Sequence, residues 1–161
     1  MQIELQSADL ADKKELKAYI KLNKEIYGDD AGDSSDYWEG SEPFWITADD
    51  IPVGTTAAWA KRRFTDGGDQ DWETDVEGWM YIGDLGVKKA FKGRGIEKII
   101  VERWVNSARE RDLNVSTNEK EGDPLIAIYR KSFGFKVVDR QKGYWGRSKK
   151  LNIVLELKFK K

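Results

Sequence analysis

The chain contains no histidine and no cysteine. Together these absences exclude imidazole bases, Ser-His-Asp and Cys-His catalysis, disulfides, and zinc sites that need nitrogen or sulfur ligands. Any chemistry must rest on carboxylates, hydroxyls, amines and the backbone. Long apolar runs are also missing, none approaching the ~20 residues of a membrane span. The opening Met1-Gln2-Ile3-Glu4-Leu5 has neither a basic n-region nor an apolar h-region. The expectation is a soluble, cytoplasmic protein with no membrane partner. What is present is 161 residues, 39% hydrophobic and 12% aromatic, with seven Trp. That is one domain's length, and the composition is too apolar and aromatic for a disordered chain.

The formal charge of −1 conceals an asymmetry. Residues 1–84 carry 8 Lys+Arg against 20 Asp+Glu, and residues 85–161 carry 20 against 9. If this order persists in space, the basic half suits an anionic ligand and the acidic half a cationic one. Charges on solvated faces are the alternative.

Gln2–Gln6 alternates as a first strand, and a helix with Ser7 or Asp9 as its cap follows, carrying Leu10, Leu16, Tyr19, Ile20 and Ile26 and ending at Gly28. Asp29–Glu42 reads as an acidic loop or broken helix. Phe44–Thr47 and Val53–Arg62 read as a hairpin around Asp49-Asp50-Ile51-Pro52. A second acidic loop, Asp66–Glu77, leads into a strand over Gly78–Val87. A glycine-spaced basic loop then precedes a helix whose apolar stripe is Ile96, Ile99, Ile100, Trp104, Val105 and Ala108. Leu113–Thr117 is a strand, Asp123 caps a short helix ended by Gly134, and Phe135–Val138 and Ile153–Phe159 close the chain as strands. This order predicts a mixed α/β, or α+β, fold around a mixed sheet.

In Val87-Lys88-Lys89-Ala90-Phe91-Lys92-Gly93-Arg94-Gly95-Ile96, two glycines let backbone approach a ligand. The helix start that follows offers unpaired N–H groups and a positive dipole end. Lys88, Lys89, Lys92, Arg94 and Lys98 add donors, so a pyrophosphate suits the loop. A tight strand-to-helix turn with solvated lysines reads the local features equally well. A Rossmann fingerprint would need glycine at Lys98, and GxxxxGK[ST] is absent.

This loop resembles that of the GNAT acetyltransferase family, V-x-P-x-x-[RQ]-G-x-G-x-[GA]. Val87 takes the strand-end valine, Lys92 the Arg/Gln place, and Gly93, Gly95 and Ile96 the places that follow, while Tyr81-Ile82-Gly83-Asp84-Leu85 looks like the family's preceding strand. Lys89 stands where proline is common, and Glu97 where a small residue meets the cofactor's pyrophosphate. A carboxylate aimed there would repel phosphate, so Glu97 either turns outward or weakens binding. Downstream, Asp123–Phe135 is similar to the pattern N-x-x-A…Y-x-x-x-G-F. Counting forward from Asp123 puts Tyr129 in the place of the general-acid tyrosine, whereas counting back from Gly134-Phe135 puts Arg130 there. Neighbouring helical residues point about 100° apart, so one extra residue near the helix end would be needed to rescue Tyr129.

The resemblance implies a GNAT acyl-CoA N-acyltransferase fold, a single domain over 1–161 with an acidic acceptor-side half, 1–84, and a basic acetyl-CoA-binding half, 85–161. It also implies direct attack of an amine on the thioester of acetyl-CoA, with no metal. Leu85, Gly86, Val87, Lys92, Gly93, Arg94, Gly95 and Ile96 would bind the co-substrate, and Tyr129 would protonate the departing thiolate. An amine of pKa near 10.4 must lose a proton before attack. Asp84 is the strand carboxylate closest to the expected reaction point, although a structural Asp at a bulge reads equally well. Glu77 is a weaker candidate acting through water.

Asp36, Trp38 and Glu77 are candidate acceptor-binding residues, and Tyr37, Trp45 and Trp72 could add cation–π surfaces unless they are core. They suggest a small cationic amine, such as a polyamine or aminoglycoside. A protein lysine, an N-terminus, an aminoacyl-tRNA, or a binding module without turnover are the alternatives. Nucleic-acid binding by Arg140–Lys150 is opposed by the acidic half. The oligomeric state is open between monomer and homodimer.

Overall fold

Hydrogen-bonding demand decides where this chain can turn. Asp49 and Asp50 both take left-handed backbone (φ 49° and 68°), the geometry of the two-residue turns that match strand twist. They join β2 (Ser41–Ala48) to β3 (Ile51–Trp59). The computed structural model describes residues 1–63, 72–74, 77–142, 145 and 148–159, with residues 63 and 72–74 as backbone only. Its contacts divide into two compact units, 1–59 with 83–97 and 60–82 with 98–161.

In the first unit, β1 (Ile3–Ser7) pairs antiparallel with β2, from Ile3 opposite Ala48 to Ser7 opposite Phe44. β2 pairs antiparallel with β3 from Ser41–Trp59 to Ala48–Ile51, with a bulge between Ile46 and Thr47. Helix α1 (Lys13–Tyr27) is capped by Asp12, whose side chain accepts from the N–H groups of Lys14 and Glu15. The cap is therefore neither Ser7 nor Asp9, and Leu10 lies before the helix; a run holding three candidate caps leaves the start ambiguous from sequence. Gly28 ends α1 as expected. Tyr19 is fully buried and its hydroxyl donates to Thr56 O at 3.2 Å and Phe44 O at 3.4 Å. Asn23 donates to Tyr19 O and accepts from Thr55 Oγ1, both at 3.0 Å. These bonds satisfy polar groups in a core that includes Ile46, Val53 and Val87.

Residues 83–87, the second half of β6 (Trp79–Val87), belong to this unit, together with the segment that follows up to residue 97. Main chains approach closely at Gly54 and Gly86. A Cβ on Gly54 would overlap Gly86 O, and one on Gly86 would lie 2.7 Å from Tyr27 Oη and 2.8 Å from Ile26 Cγ2.

In the second unit, the first half of β6 runs parallel to β7 (Asn114–Lys120), from Trp79–Asn114 to Ile82–Thr117. Such pairing requires a crossover, supplied by α2 (Ile96–Glu110). β9 (Asn152–Leu157) pairs antiparallel with β7 and with β8 (Lys136–Gln141). The seven hydrogen-bonded strands run β1-β2-β3-β6-β7-β9-β8, and β4 (Lys61–Arg63) with β5 (Trp72–Thr74) forms a separate hairpin. That hairpin corrects two expectations: the strand predicted over Val53–Arg62 breaks at Ala60, and the predicted loop Asp66–Glu77 contains a strand. Ile100, Val101, Trp104, Val105 and Ala108 of α2 are buried, as their periodicity predicts, but Ile99 is exposed.

Helix α3 (Pro124–Ala127) is capped by Asp123 and widens into a π turn over Ile128–Ser132 before Gly134. Gly134 N–H bonds to Arg130 O, closing the helix with a left-handed glycine. Buried Glu156 is held by Arg62 through two bonds of 2.8 and 2.9 Å, while the guanidinium stacks 4.2 Å from the Trp79 ring. No helix among the described residues is long and apolar enough to cross a membrane.

Candidate active site

Strand β6 is buried along its length except at Gly83 and Asp84, which are half-buried. Asp84 has left-handed backbone (φ 48°), an uncommon state for a residue with a side chain. The strand's one carboxylate therefore stands at its one left-handed residue. Both carboxylate oxygens are engaged: the Tyr37 hydroxyl donates to Oδ1 at 3.0 Å and the Trp38 indole N–H donates to Oδ2 at 2.8 Å. Burial pushes the Asp84 pKa from 3.8 up to about 6, opposed by the two donors, which stabilise the anion. At neutral pH it is a carboxylate with appreciable proton affinity, the property expected of a general base.

Tyr37 and Trp38 come from a one-turn 3₁₀ segment, Ser35–Trp38, inside the stretch read as an acidic loop or broken helix. Trp38 is only 4% exposed and stands edge-on to Tyr19, with ring centres 5.2 Å apart. Tyr37 is 45% exposed and edge-on to Trp38 at 4.9 Å and to Trp59 at 6.3 Å. Gly32 makes room for it, since a Cβ there would fall 2.5 Å from the Tyr37 ring. Burial pushes the Tyr19 phenol well above its ordinary pKa, and the charge of Asp84 adds to the effect. Trp45 also stands edge-on to Tyr19, at 5.0 Å, and its indole N–H donates to Glu15 at 2.9 Å. Asp36 and Glu39 are exposed and line, with Ser35, Trp38, Ser41 and Pro43, an open depression of about 420 Å³.

The sequence pattern singled out Asp84 and Trp38 separately, but the direct bond between them, across 46 positions, has no sequence signal. Tyr37 was visible only as an aromatic left open between a cation–π surface and the core. The Tyr-Trp pair within an acidic stretch was the one available clue.

Leu85, Gly86 and Val87 are buried at the end of β6, and Lys88 N–H bonds to Val53 O at 2.8 Å. The loop then turns through a short 3₁₀ segment, Lys89–Phe91. Gly93 and Gly95 both have φ 78°, and a Cβ on either would meet nothing within 4 Å. Lys92 and Arg94 are exposed, with the Arg94 guanidinium 5.1 Å from the Phe91 ring, and Ile96 is buried at the start of α2. Open space above two glycines beside a helix start fits the pyrophosphate of a CoA thioester. Glu97 is half-buried in the first turn of α2. Among the described residues, no group of three or more acidic side chains is placed to hold a metal ion.

A model of the acetyltransferase (GNAT) family matches residues 13–135. The chain belongs to the GNAT family. It is thus an acyltransferase by family, and the mixed sheet with flanking helices is the GNAT fold. No curated protein matches the sequence. Among solved structures, the chain is similar to the ribosomal-protein-S18-alanine N-acetyltransferase of Escherichia coli, with TM-score 0.71, 13% identity, and coverage of 97% of this chain and 93% of that one. It is also similar to Arabidopsis thaliana Naa50 in complex with the bisubstrate analogue CoA-Ac-MVNAL, with TM-score 0.72, 17% identity, and coverage of 99% and 100%. A third is an IAA acetyltransferase from Bacillus cereus, with TM-score 0.70, 14% identity, and coverage of 97% and 99%. At such identities the likeness establishes the fold.

Two further candidate site residues, Glu77 and Tyr129, lie in the second unit. Glu77 is exposed just before β6. Tyr129 is fully buried, its ring 4.9 Å from Phe135, while Arg130 is exposed. The π turn that contains both widens the helix by one residue per turn, the local counterpart of the one-residue disagreement between the two ways of counting the motif. Asp66, Asp69, Asp71, Asp75 and Tyr144 lie outside the described residues, as do the side chains of Trp72 and Glu73.

Proposed function

We propose that this protein acetylates a primary amine of a small cationic acceptor, of polyamine or aminoglycoside type, by direct attack on acetyl-CoA in the cytoplasm. The observation that carries this reading is the Asp84 carboxylate, with a pKa near 6, at the left-handed residue of β6, the strand that leads into the glycine loop. Gly93, Arg94, Gly95, Lys92 and the first turn of α2 would hold the pyrophosphate of acetyl-CoA, which supplies an activated acetyl thioester. Backbone N–H groups between Leu85 and Val87 would polarise the thioester carbonyl. Asp84 takes a proton from the bound ammonium, because only the neutral amine carries the lone pair needed for attack. Asp36 and Glu39, at the mouth of the depression beside Trp38, and Glu77 are the anions proposed to attract the acceptor's cationic groups.

For Tyr129 the two roles are separable. Slower turnover of Tyr129→Phe with unchanged acetyl-CoA affinity supports protonation of the departing thiolate; an unaltered rate returns the residue to the core. The acceptor class is tested by measuring CoA release with spermidine, an aminoglycoside, a lysine-containing peptide and a peptide with a free N-terminus. Fastest turnover on the first two is expected. The solved neighbours that act on protein alanine or hold a peptide-derived analogue make the peptides the informative rivals, and turnover confined to them overturns the proposed acceptor class.

A further inference from the structure

The two donors on Asp84 are not equivalent. Trp38 is buried, its indole is fixed edge-on against Tyr19, and its bond to Oδ2 lies in a partly buried setting. Tyr37 is nearly half exposed, and its bond to Oδ1 is open to solvent. One oxygen of the carboxylate therefore faces a rigid aromatic interior that neither gives nor takes a proton, since an indole N–H is a donor only. The other faces a phenol, which donates and accepts through the same oxygen. An ammonium arriving from solvent on the Tyr37 side meets a hydroxyl already aligned on the base.

We infer that Tyr37 is a proton-relay residue: its hydroxyl oxygen takes a proton from the acceptor ammonium while its own proton passes to Asp84 Oδ1. The N–H bond of the ammonium breaks and leaves the electron pair on nitrogen. A new O–H bond forms at Tyr37, the old one breaks, and Asp84 becomes a neutral carboxylic acid. Tyr37 ends as it began, and Trp38 holds Oδ2 throughout. This inference rests on Asp84 being the base and adds the path by which the proton reaches it.

Geometry supports a relay over a surface contact. Tyr37 is wedged between the backbone of Gly32 and the edges of Trp38 and Trp59, and this holds its hydroxyl at 3.0 Å from the carboxylate. Tyr37 bears on Asp84 through its bond, and Tyr19, from α1, through the charge of the carboxylate. Tyr19 directs its hydroxyl at the carbonyls of Phe44 and Thr56, which leaves Tyr37 as the phenol bonded to the base.

The experiment compares kcat/KM of wild type, Tyr37→Phe and Asp84→Asn with spermidine between pH 7 and pH 10. Tyr37→Phe should lose about 100-fold at pH 7, within the range of a proton-transfer contribution. That deficit should shrink towards unity near pH 10, where much of the amine is already neutral and needs no relay. A purely structural role would give the same deficit at both ends, and that result overturns the inference. No deficit at pH 7 overturns it as well. If Asp84→Asn keeps wild-type activity across the range, the assignment of the base fails and the relay falls with it. If Asp84→Asn is slow and Tyr37→Phe is not, only the relay fails. Absence of wild-type turnover on spermidine and on an aminoglycoside alike overturns both. Calorimetric acetyl-CoA affinity, unchanged in both variants, separates these outcomes from misfolding.

Discussion

Single residues carry the chemistry here because so few types are available. With neither imidazole nor thiol in the chain, the side chain drawn toward neutrality is a carboxyl: burial raises the Asp84 pKa from 3.8 to about 6. Its folded-state pKa lies above its unfolded value of 3.8, so its contribution to stability is fully present below that value and lost as pH rises through about 6. Chemical denaturation of wild type and Asp84→Asn at pH 4 and pH 7 should show wild type losing stability relative to the variant across that interval. Activity runs the other way: kcat/KM should rise with pH through about 6 as the carboxylate forms. A second test at this scale concerns Gly86. Adding one methyl there drives it into Tyr27 and Ile26, so Gly86→Ala should cost about 1–3 kcal/mol in urea denaturation.

At the level of elements, the hairpin turn and the glycine loop offer opposite tests of left-handed backbone. Asp50, at φ 68°, holds a conformation that glycine adopts without strain, so Asp50→Gly should raise stability by ~0.5–1 kcal/mol. Gly95 faces open space, so Gly95→Glu should place both strain and a negative charge in the loop and abolish acetyl-CoA binding by calorimetry while the protein stays folded. Elements with a strong period were legible in the sequence: α2 has the start its apolar stripe predicts, and Asp123 and Gly134 bound the short helix as expected. What escaped was non-local or lacked a period. The β4–β5 hairpin is two three-residue strands, too short to alternate visibly. The start of α1 slid to Asp12 because nearby Ser7 and Asp9 could cap equally well. The clamp on Asp84 joins residues 46 and 47 positions apart, and only folding brings them together.

For the molecule as a whole, the family and the mixed sheet were legible because the loop motif and the order of elements are both local properties of the chain. Acceptor chemistry was not, because the stretch proposed to carry it holds no motif, only acids and aromatics that sequence alone leaves undecided between core and surface. Co-substrate binding gives a global readout. Saturation at 100 times the dissociation constant stabilises a protein by about 2.7 kcal/mol, so acetyl-CoA should raise the melting temperature by roughly 5–10 °C in a chain of this length. A melting temperature indifferent to acetyl-CoA would remove the glycine loop from its proposed role.

The bond from the Trp38 indole to Asp84 has a spectroscopic corollary. Tryptophan emission responds to the charge next to the ring, and here one fluorophore is tied to the carboxylate assigned to the chemistry. Subtracting the spectrum of Trp38→Phe from that of wild type isolates this chromophore from the other six tryptophans. The difference signal should titrate with the midpoint of Asp84, giving a label-free optical record of when the base is loaded and unloaded.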